Sequence, residues 1–193
     1  MDPALRKGLI LDETAALVAR EGVSAVSMER VGRDAGISKA LVYSHFVNRT
    51  ALLQELLVRG QSRLLARQAE AVRNATSLES LIRLTTQAYL QHVEADGLYI
   101  QRLMNEPTVA TAFRDRDKKG RQEAMDYLAA EITRTLNIPR EIAALATEMS
   151  MGMTGVAGEL LGRSDAGREQ IDELLFCMFS GALAALKAQY SGD

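Results

Sequence analysis

Between Met28 and Phe46 the chain reads "MERVGRDAGISKALVYSHF", two short amphipathic segments separated only by Gly36, Ile37 and Ser38. Glycine takes the left-handed conformation that ends a helix, and a serine oxygen accepts from the first unpaired N–H groups of the next one. The spacing therefore predicts a helix stopped at Gly36, a tight turn, and a second helix capped by Ser38 that runs to about Phe46. Ser27 caps the first helix, with Arg30 three residues on where a capping box would need Glu or Gln. Val31 and Ala35 face inward from the first helix, and Ile37, Val42 and Phe46 from the turn and the second. Two short helices set at an angle across such a turn form a helix-turn-helix.

The rest of the chain reads as all-α. Proline is scarce, aromatic residues make up 5% of the chain, and the abundant Ala, Leu, Met, Arg and Glu keep most of their rotamer freedom in a helix. A first helix is expected from about Ala4 to Glu21, ended by Gly22, and a long fourth one from about Asn48 to Arg73. Beyond a loop at 74–77, a stripe of Leu78, Ile82, Thr85, Tyr89 and His92 marks a helix that Asp96-Gly97 is expected to break. A short helix carrying Tyr99, Leu103 and Met104 should follow, then one over Val109–Leu136 whose charged run "RDRDKKGR" reads as a solvated face with a kink at Gly120. Pro139 opens the next helix at its first turn, and "GRSDAGRE" separates that from a last helix ending near Gln189. The expected architecture is about nine helices: a helix-turn-helix unit at 1–47, and a larger helical domain at 48–193 led by the long fourth helix.

Composition excludes several classes. Cys177 is the single cysteine, so it forms no intramolecular disulfide, and its apolar run "LLFCMFSGALAAL" makes it a core hydrophobe. The longest uncharged apolar run, near 174–186, is shorter than the ~18–20 residues of a membrane span, and Asp12 and Glu13 interrupt any signal-peptide core. A soluble, cytoplasmic protein without membrane partners is expected. His45 has no second His, Cys or carboxylate at ligand spacing, so no metal is expected. Ser44 and His45 are adjacent and diverge on a helix, no glycine-rich phosphate loop occurs, and neither a catalytic residue nor a cofactor is expected.

With Ile37, Val42 and Phe46 turned inward, Lys39, Ala40, Tyr43 and Ser44 are left on the outer side of their helix, and His45 at its margin. Such a surface suits a major groove. Lysine and serine reach base edges or phosphate, alanine or Leu41 meets a thymine methyl, and tyrosine and histidine hydrogen-bond phosphate. Charge is an objection to this reading. The net charge is −2, and across residues 1–58 seven basic residues are balanced by seven acidic ones, with Asp34 close to the turn.

From "ILDETAALVAREG" through "SMERVGRDAGISKALVYSHFVNRTALL", about Leu9 to Leu53, the chain resembles the TetR family of bacterial transcriptional regulators. The glycine-hydrophobic-serine turn, the Tyr43-x-His45-Phe46 run and a basic residue three positions later carry the resemblance. Arg49 stands where lysine is usual, Val47 where proline is common and Leu41 where threonine is frequent. The resemblance implies a homodimeric repressor on a near-palindromic double-stranded DNA operator, released by a small-molecule effector. The DNA-contacting residues it points to are Ser27, Ser38, Lys39, Ala40, Leu41, Tyr43, Ser44, His45 and Arg49.

It also implies an effector site in the later helices and a dimer interface on the last two. Polar or adaptable residues on apolar stripes are the pocket candidates: Thr85, Tyr89, His92, Tyr99, Arg102, Phe113, Met149 and Met153, suited to a small apolar or amphipathic molecule. Gly155, Gly158 and Gly162, with Leu175, Phe179, Leu183 and Leu186, are the candidates for the dimer seam, where small residues let helices approach closely. Two rivals are a helical small-molecule binding module without DNA recognition, and an enzyme built on Tyr89, His92 and Arg102.

Overall fold

A computed structural model describes residues 3–191, with side chains throughout except at 112–117. Phe113, one of the pocket candidates, lies outside the described side chains. The helices are α1 (Pro3–Glu21), α2 (Met28–Asp34), α3 (Lys39–His45), α4 (Arg49–Asn74), α5 (Leu78–Met104), α6 (Pro107–Leu136), α7 (Arg140–Leu161) and α8 (Arg168–Tyr190), with a 3-10 turn at Val23–Ala25. Among the described residues there is no strand.

Each cap expected near the turn is present. Ser27 Oγ accepts from the Arg30 N–H at 3.1 Å, and Ser38 Oγ from the Leu41 N–H at 3.2 Å. Asn48 starts α4 likewise, its Oδ1 accepting from the Ala51 N–H at 2.8 Å. Gly36 has φ +65°, the Ile37 N–H donates to the Gly32 carbonyl at 2.8 Å and the Gly36 N–H to that of Arg33 at 3.1 Å. These paired bonds make a Schellman motif, the end that a left-handed glycine allows. Gly32 adds a requirement that periodicity does not reveal. A Cβ there would stand 3.0 Å from the Ile37 carbonyl oxygen and 3.3 Å from Val42 Cγ2, so its missing side chain is what lets α3 lie close against α2.

The chain forms two compact units. The first comprises Met1–Arg63 with Asp96–Arg116, the second Leu64–Ala95 with Asp117–Asp193. The first takes in the first half of α4, the last part of α5 and the start of α6. Its core joins Ile10, Leu17 and Val18 of α1, Val31 of α2, Val42 and Phe46 at α3, Leu52, Leu53, Leu56 and Leu57 of α4, and Tyr99 and Leu103 of α5.

The break expected at Asp96-Gly97 does not occur, because α5 runs through both residues. Asp96 is buried and pairs with Arg63 of α4 at 3.3 Å, while Tyr99 and Leu103 sink into the first core. Packing of this kind outweighs the ~1 kcal/mol that a glycine costs a helix. α6 is likewise helical through Gly120, where a kink was expected.

In the second unit, two apolar clusters establish how the helices run. One joins Leu78 and Ile82 at the start of α5 to Ile132 and Leu136 near the end of α6, Ala143 near the start of α7, and Leu183 and Leu186 of α8. The other joins Tyr89 and Leu90 of α5 to Met153, Ala157 and Leu161 late in α7 and to Ile171, Leu175 and Phe179 early in α8. Within this unit α5 therefore runs parallel to α7 and antiparallel to α8, and α6, whose last turns meet the start of α5 and whose Arg121 acts on Tyr89, is antiparallel to α5 as well. Gln87 donates to buried Asp172 at 2.7 Å, and Arg83 pairs with Glu173 while lying over the Phe176 ring, so α5 and α8 are also held by polar contacts.

Candidate functional site

The helix after the turn divides as its periodicity requires. Val42 and Phe46 are buried, Ile37 packs against the same core, and Lys39, Ala40, Tyr43 and Ser44 are exposed, with Leu41 and His45 half-buried. Lys39 Nζ lies 3.7 Å from Glu29 between two well-exposed side chains, a contact that leaves the ammonium mobile. Ser44 Oγ donates to the Leu41 carbonyl at 2.8 Å, which leaves its lone pairs outward as acceptors. Ser27 and Ser38 are likewise engaged as caps.

Asp34, the charge that opposed a phosphate partner, is neutralised locally. Arg30 Nε donates to its Oδ2 at 2.8 Å, and Arg33 stands at 3.6 Å. The Arg30 hydrogen bond holds the Asp34 carboxyl below its ordinary pKa, and hydrogen bonds from Arg20 and Arg30 do the same to Glu21.

Arg49 does not present an open fork. Its Nε donates to the Val26 carbonyl at 2.9 Å and Nη2 to that of Val23 at 2.7 Å, tying the start of α4 to the segment that leads into α2.

The second unit carries a cavity of about 970 Å³, open to solvent on one side and lined from α4, α5, α6, α7 and α8. Thr85, Tyr89, Met149 and Met153 line it. Tyr99 and Arg102 do not: Tyr99 is buried in the core of the first unit, and Arg102 donates to the Val18 carbonyl of α1 at 2.7 Å. His92 is buried but is not part of the cavity wall.

Sequence reasoning missed much of the wall, including Leu65 and Val72 of α4, Arg121 and Leu128 of α6, and Thr147, Ser150 and Thr154 of α7. The last three repeat at helical spacing along an otherwise apolar helix, a signal that was available. Their hydroxyls donate to the backbone one turn earlier, Thr147 to Ala143, Ser150 to Ala146 and Thr154 to Ser150, as Thr85 does to Leu81, all at 2.7–2.9 Å. Four polar side chains thus show the cavity methyls or methylenes and lone pairs, with their protons already used.

The residues expected at a dimer seam are mostly occupied within one chain. Leu175 and Phe179 are buried in the second unit, Leu183 and Leu186 pack there and line the cavity, and Gly155 lines it too. A Cβ on Gly158 would meet Tyr89 Cε1 at 2.9 Å and Val93 Cγ2 at 3.2 Å, so this glycine serves α5–α7 packing. Gly162 is the C-cap of α7. What α7 and α8 leave uncovered is a different set: Leu145, Met149, Val156 and Leu160 at helical spacing on α7, and Leu174 and Met178 on α8, together with Cys177, which its apolar run placed in the core but which is exposed, three residues after Leu174 on the outward side of α8.

Residues 10–56 match the family described as bacterial regulatory proteins, tetR family. That segment is a TetR-family helix-turn-helix. The all-α fold of the whole chain agrees with solved TetR-like structures. A TetR-like transcriptional regulator from Rhodococcus sp. RHA1 superposes with a TM-score of 0.74 at 18% identity, over 95% of this chain and 98% of that one. SCO4454, a TetR-family transcriptional regulator from Streptomyces coelicolor, gives 0.75 at 14% identity over 95% and 97%. In sequence, the chain is 26% identical over 111 residues to the HTH-type transcriptional regulator UidR of Escherichia coli K12. That stretch covers 55% of this chain and 56% of UidR, so the chain spans about half the length of the relatives it matches. Among the described residues no helix is long and apolar enough to cross a membrane.

Proposed function

We propose that this chain is a sequence-specific DNA-binding regulator of the TetR family, a homodimeric repressor whose hold on its operator is released by a small apolar or amphipathic effector. The observation that carries the reading is the presence in one chain of two separate devices. One is an exposed polar face on α3, backed by fully buried Val42 and Phe46; the other is a large apolar cavity in the second unit.

Lys39, Tyr43 and Ser44 are assigned to the major groove and its phosphates, with Ala40 and Leu41 at thymine methyls and His45 at the phosphate edge. Ser27 and Ser38, engaged as caps, contribute helix starts whose N–H groups face phosphate. Arg49 is assigned to bracing the head. The cavity takes the effector, and α4 carries its effect, since this one helix supplies Leu52, Leu53, Leu56 and Leu57 to the head's core and Leu65, Val72 and Arg73 to the cavity wall. An effector that favours one setting of α4 and DNA that favours another oppose each other by linkage. The exposed stripe of Leu145, Val156, Leu160, Leu174 and Met178 is assigned to the seam with a second copy. Leu174→Glu should then halve the mass seen by light scattering, and an unchanged mass removes the assignment.

The decisive experiment is a mobility shift with the DNA upstream of the gene against random DNA, at stepped salt. Specific binding should exceed non-specific by roughly a thousandfold or more and weaken steeply with salt. Absence of any preference at low salt sinks the reading.

A second reading, a helical binding module without DNA recognition, draws on one observation. Lys7, Arg30, Arg49, Arg59 and Arg102 of the first unit are engaged by internal carboxylates or carbonyls. That reading predicts ligand binding in the cavity without operator binding.

A further inference from the structure

The cavity wall has a charge asymmetry that narrows what fits it. Among the described residues its charged members are two arginines, Arg73 of α4 and Arg121 of α6, and no carboxylate lines it. A cation entering this apolar space would lose its hydration and find no counter-charge, whereas an anion finds guanidinium. The pinned hydroxyls of Thr85, Thr147, Ser150 and Thr154 offer an anion no donor. The donors left for a negatively charged head are the arginines, tyrosines and glutamines at the wall and the Thr86 hydroxyl, and only the arginines carry a positive charge.

The helix directions place the ends. Ile132 clusters with Leu78, Leu183 and Leu186, and Arg121 lies eleven residues earlier on α6, which runs antiparallel to α5. At 1.5 Å per residue that is ~16 Å of cavity wall. Arg121 therefore belongs to the Tyr89 end of α5, remote from the Ile82 end. Burial, and then the Glu159 carboxylate, raise the Tyr89 phenol pKa so that it stays a donor, while the Arg121 charge acts on the same phenol in the opposite sense. On its outer side Arg121 also borders a smaller depression shared with Lys118 and Glu148. Between the two ends the wall is mostly apolar and includes Met149 and Met153, which adapt to a flexible chain.

We infer that the ligand is an elongated monoanionic amphiphile, a slim alkyl chain with a carboxylate head held by Arg121 and Tyr89 and a tail among Ile82, Ile132, Leu183 and Leu186. This rests on the cavity being the effector site and names the chemistry that site selects. The span of wall suits a chain of roughly a dozen carbons.

The test uses the full-length protein and calorimetric titration without DNA. The probes are dodecanoate, dodecanol and dodecyltrimethylammonium, each kept monomeric, and a series from octanoate to hexadecanoate. Affinity should rise about fourfold per methylene, the equivalent of ~0.8 kcal/mol, and level off near a dozen carbons. Dodecanoate should bind roughly tenfold or more tighter than the ammonium. Arg121→Ala should abolish that preference and leave dodecanol unchanged, and Tyr89→Phe should reduce it. Circular dichroism and the melting temperature confirm that both variants are folded.

Equal affinity for the cation, no dependence on chain length, or a preference that survives Arg121→Ala overturns the inference, and so does a preference lost through Arg73→Ala alone. Operator release is measured separately. Dodecanoate that binds yet leaves operator affinity unchanged at saturation refutes effector release and leaves the ligand class standing. Specific operator binding with no amphiphile bound refutes the ligand class and leaves the regulator standing.

Discussion

Arg49 and Val26 are 23 residues apart in sequence and 2.9 Å apart in hydrogen bonding, with the Arg49 Nε on the Val26 carbonyl and Nη2 on that of Val23. A guanidinium bridges two carbonyls where an ammonium, a point charge, serves one. Arg49→Ala should lower the first unit's stability by about 1–3 kcal/mol, and Arg49→Lys should recover only part of it. Urea denaturation checks both. If Arg49→Lys were fully as stable as the parent while Arg49→Ala lost DNA affinity alone, the residue would be a phosphate contact and not a brace.

On the outer face of α3, Tyr43→Phe removes one hydroxyl from an exposed ring and should weaken binding to specific and random DNA alike, by about 0.5–1.5 kcal/mol. Lys39→Ala should shallow the salt dependence by about one unit and, if the ammonium reads a base, relax preference at one base pair. Anisotropy titrations over a panel of single-base operator variants distinguish the two. An equal loss on all DNAs from Lys39→Ala assigns that residue to phosphate.

Gly158 permits the approach of α7 to Tyr89. Gly158→Ala introduces a methyl 2.9 Å from Tyr89 Cε1 and 3.0 Å from its oxygen, so the ring must move. Overpacking of this kind costs about 1–3 kcal/mol. Because Tyr89 lines the cavity, the same change should weaken dodecanoate binding while leaving the first unit's DNA affinity intact in the absence of ligand. Unaltered stability would mean that the ring has room to swing aside.

Acid should loosen the tie between α1 and α2. Arg30 joins Glu21 and Asp34, and both carboxyls are held below their ordinary values of 4.5 and 3.8. A depressed carboxyl stabilises the fold above its unfolded pKa and loses that contribution as pH falls through the folded one. The stabilisation is therefore whole at neutral pH and declines below about pH 4.5. Arg30→Gln should flatten this part of the pH–stability curve measured by urea midpoints. A curve as steep as the parent's would place the acid-sensitive groups elsewhere.

The helix-turn-helix was legible because its determinants are local: Ser27 and Ser38 cap within three residues, and Gly36 ends α2 through bonds to Gly32 and Arg33. The second unit was legible only in part. Thr85 and Tyr89 share a helix face, and that face does line the cavity. Arg121 sits at the end of "RDRDKKGR", a run whose charges read as solvated, and nothing in its neighbourhood indicates a cavity beside it. Gly158 looked like a seam between subunits because glycine spacing signals close approach without saying to what; its partner, Tyr89, is 69 residues away. Asp96-Gly97 failed as a breaker for the same reason, since Arg63 and the first core hold α5 straight across it.

The reading head completes its core with residues that the ribosome delivers late. Leu53, Leu56 and Leu57 are in place once α4 is made, but Tyr99 and Leu103 follow some forty residues further on. At roughly 5–20 residues per second the nascent head waits several seconds with part of its leucine surface uncovered, and the intervening chain becomes the second unit. For the same reason a head cut from this protein at residue 47 and grafted onto another receptor would leave behind the four α4 leucines on which α1 and α3 rest. A chimera that transfers the head intact must join the donor and recipient inside α4, again inside α5 and a third time inside α6.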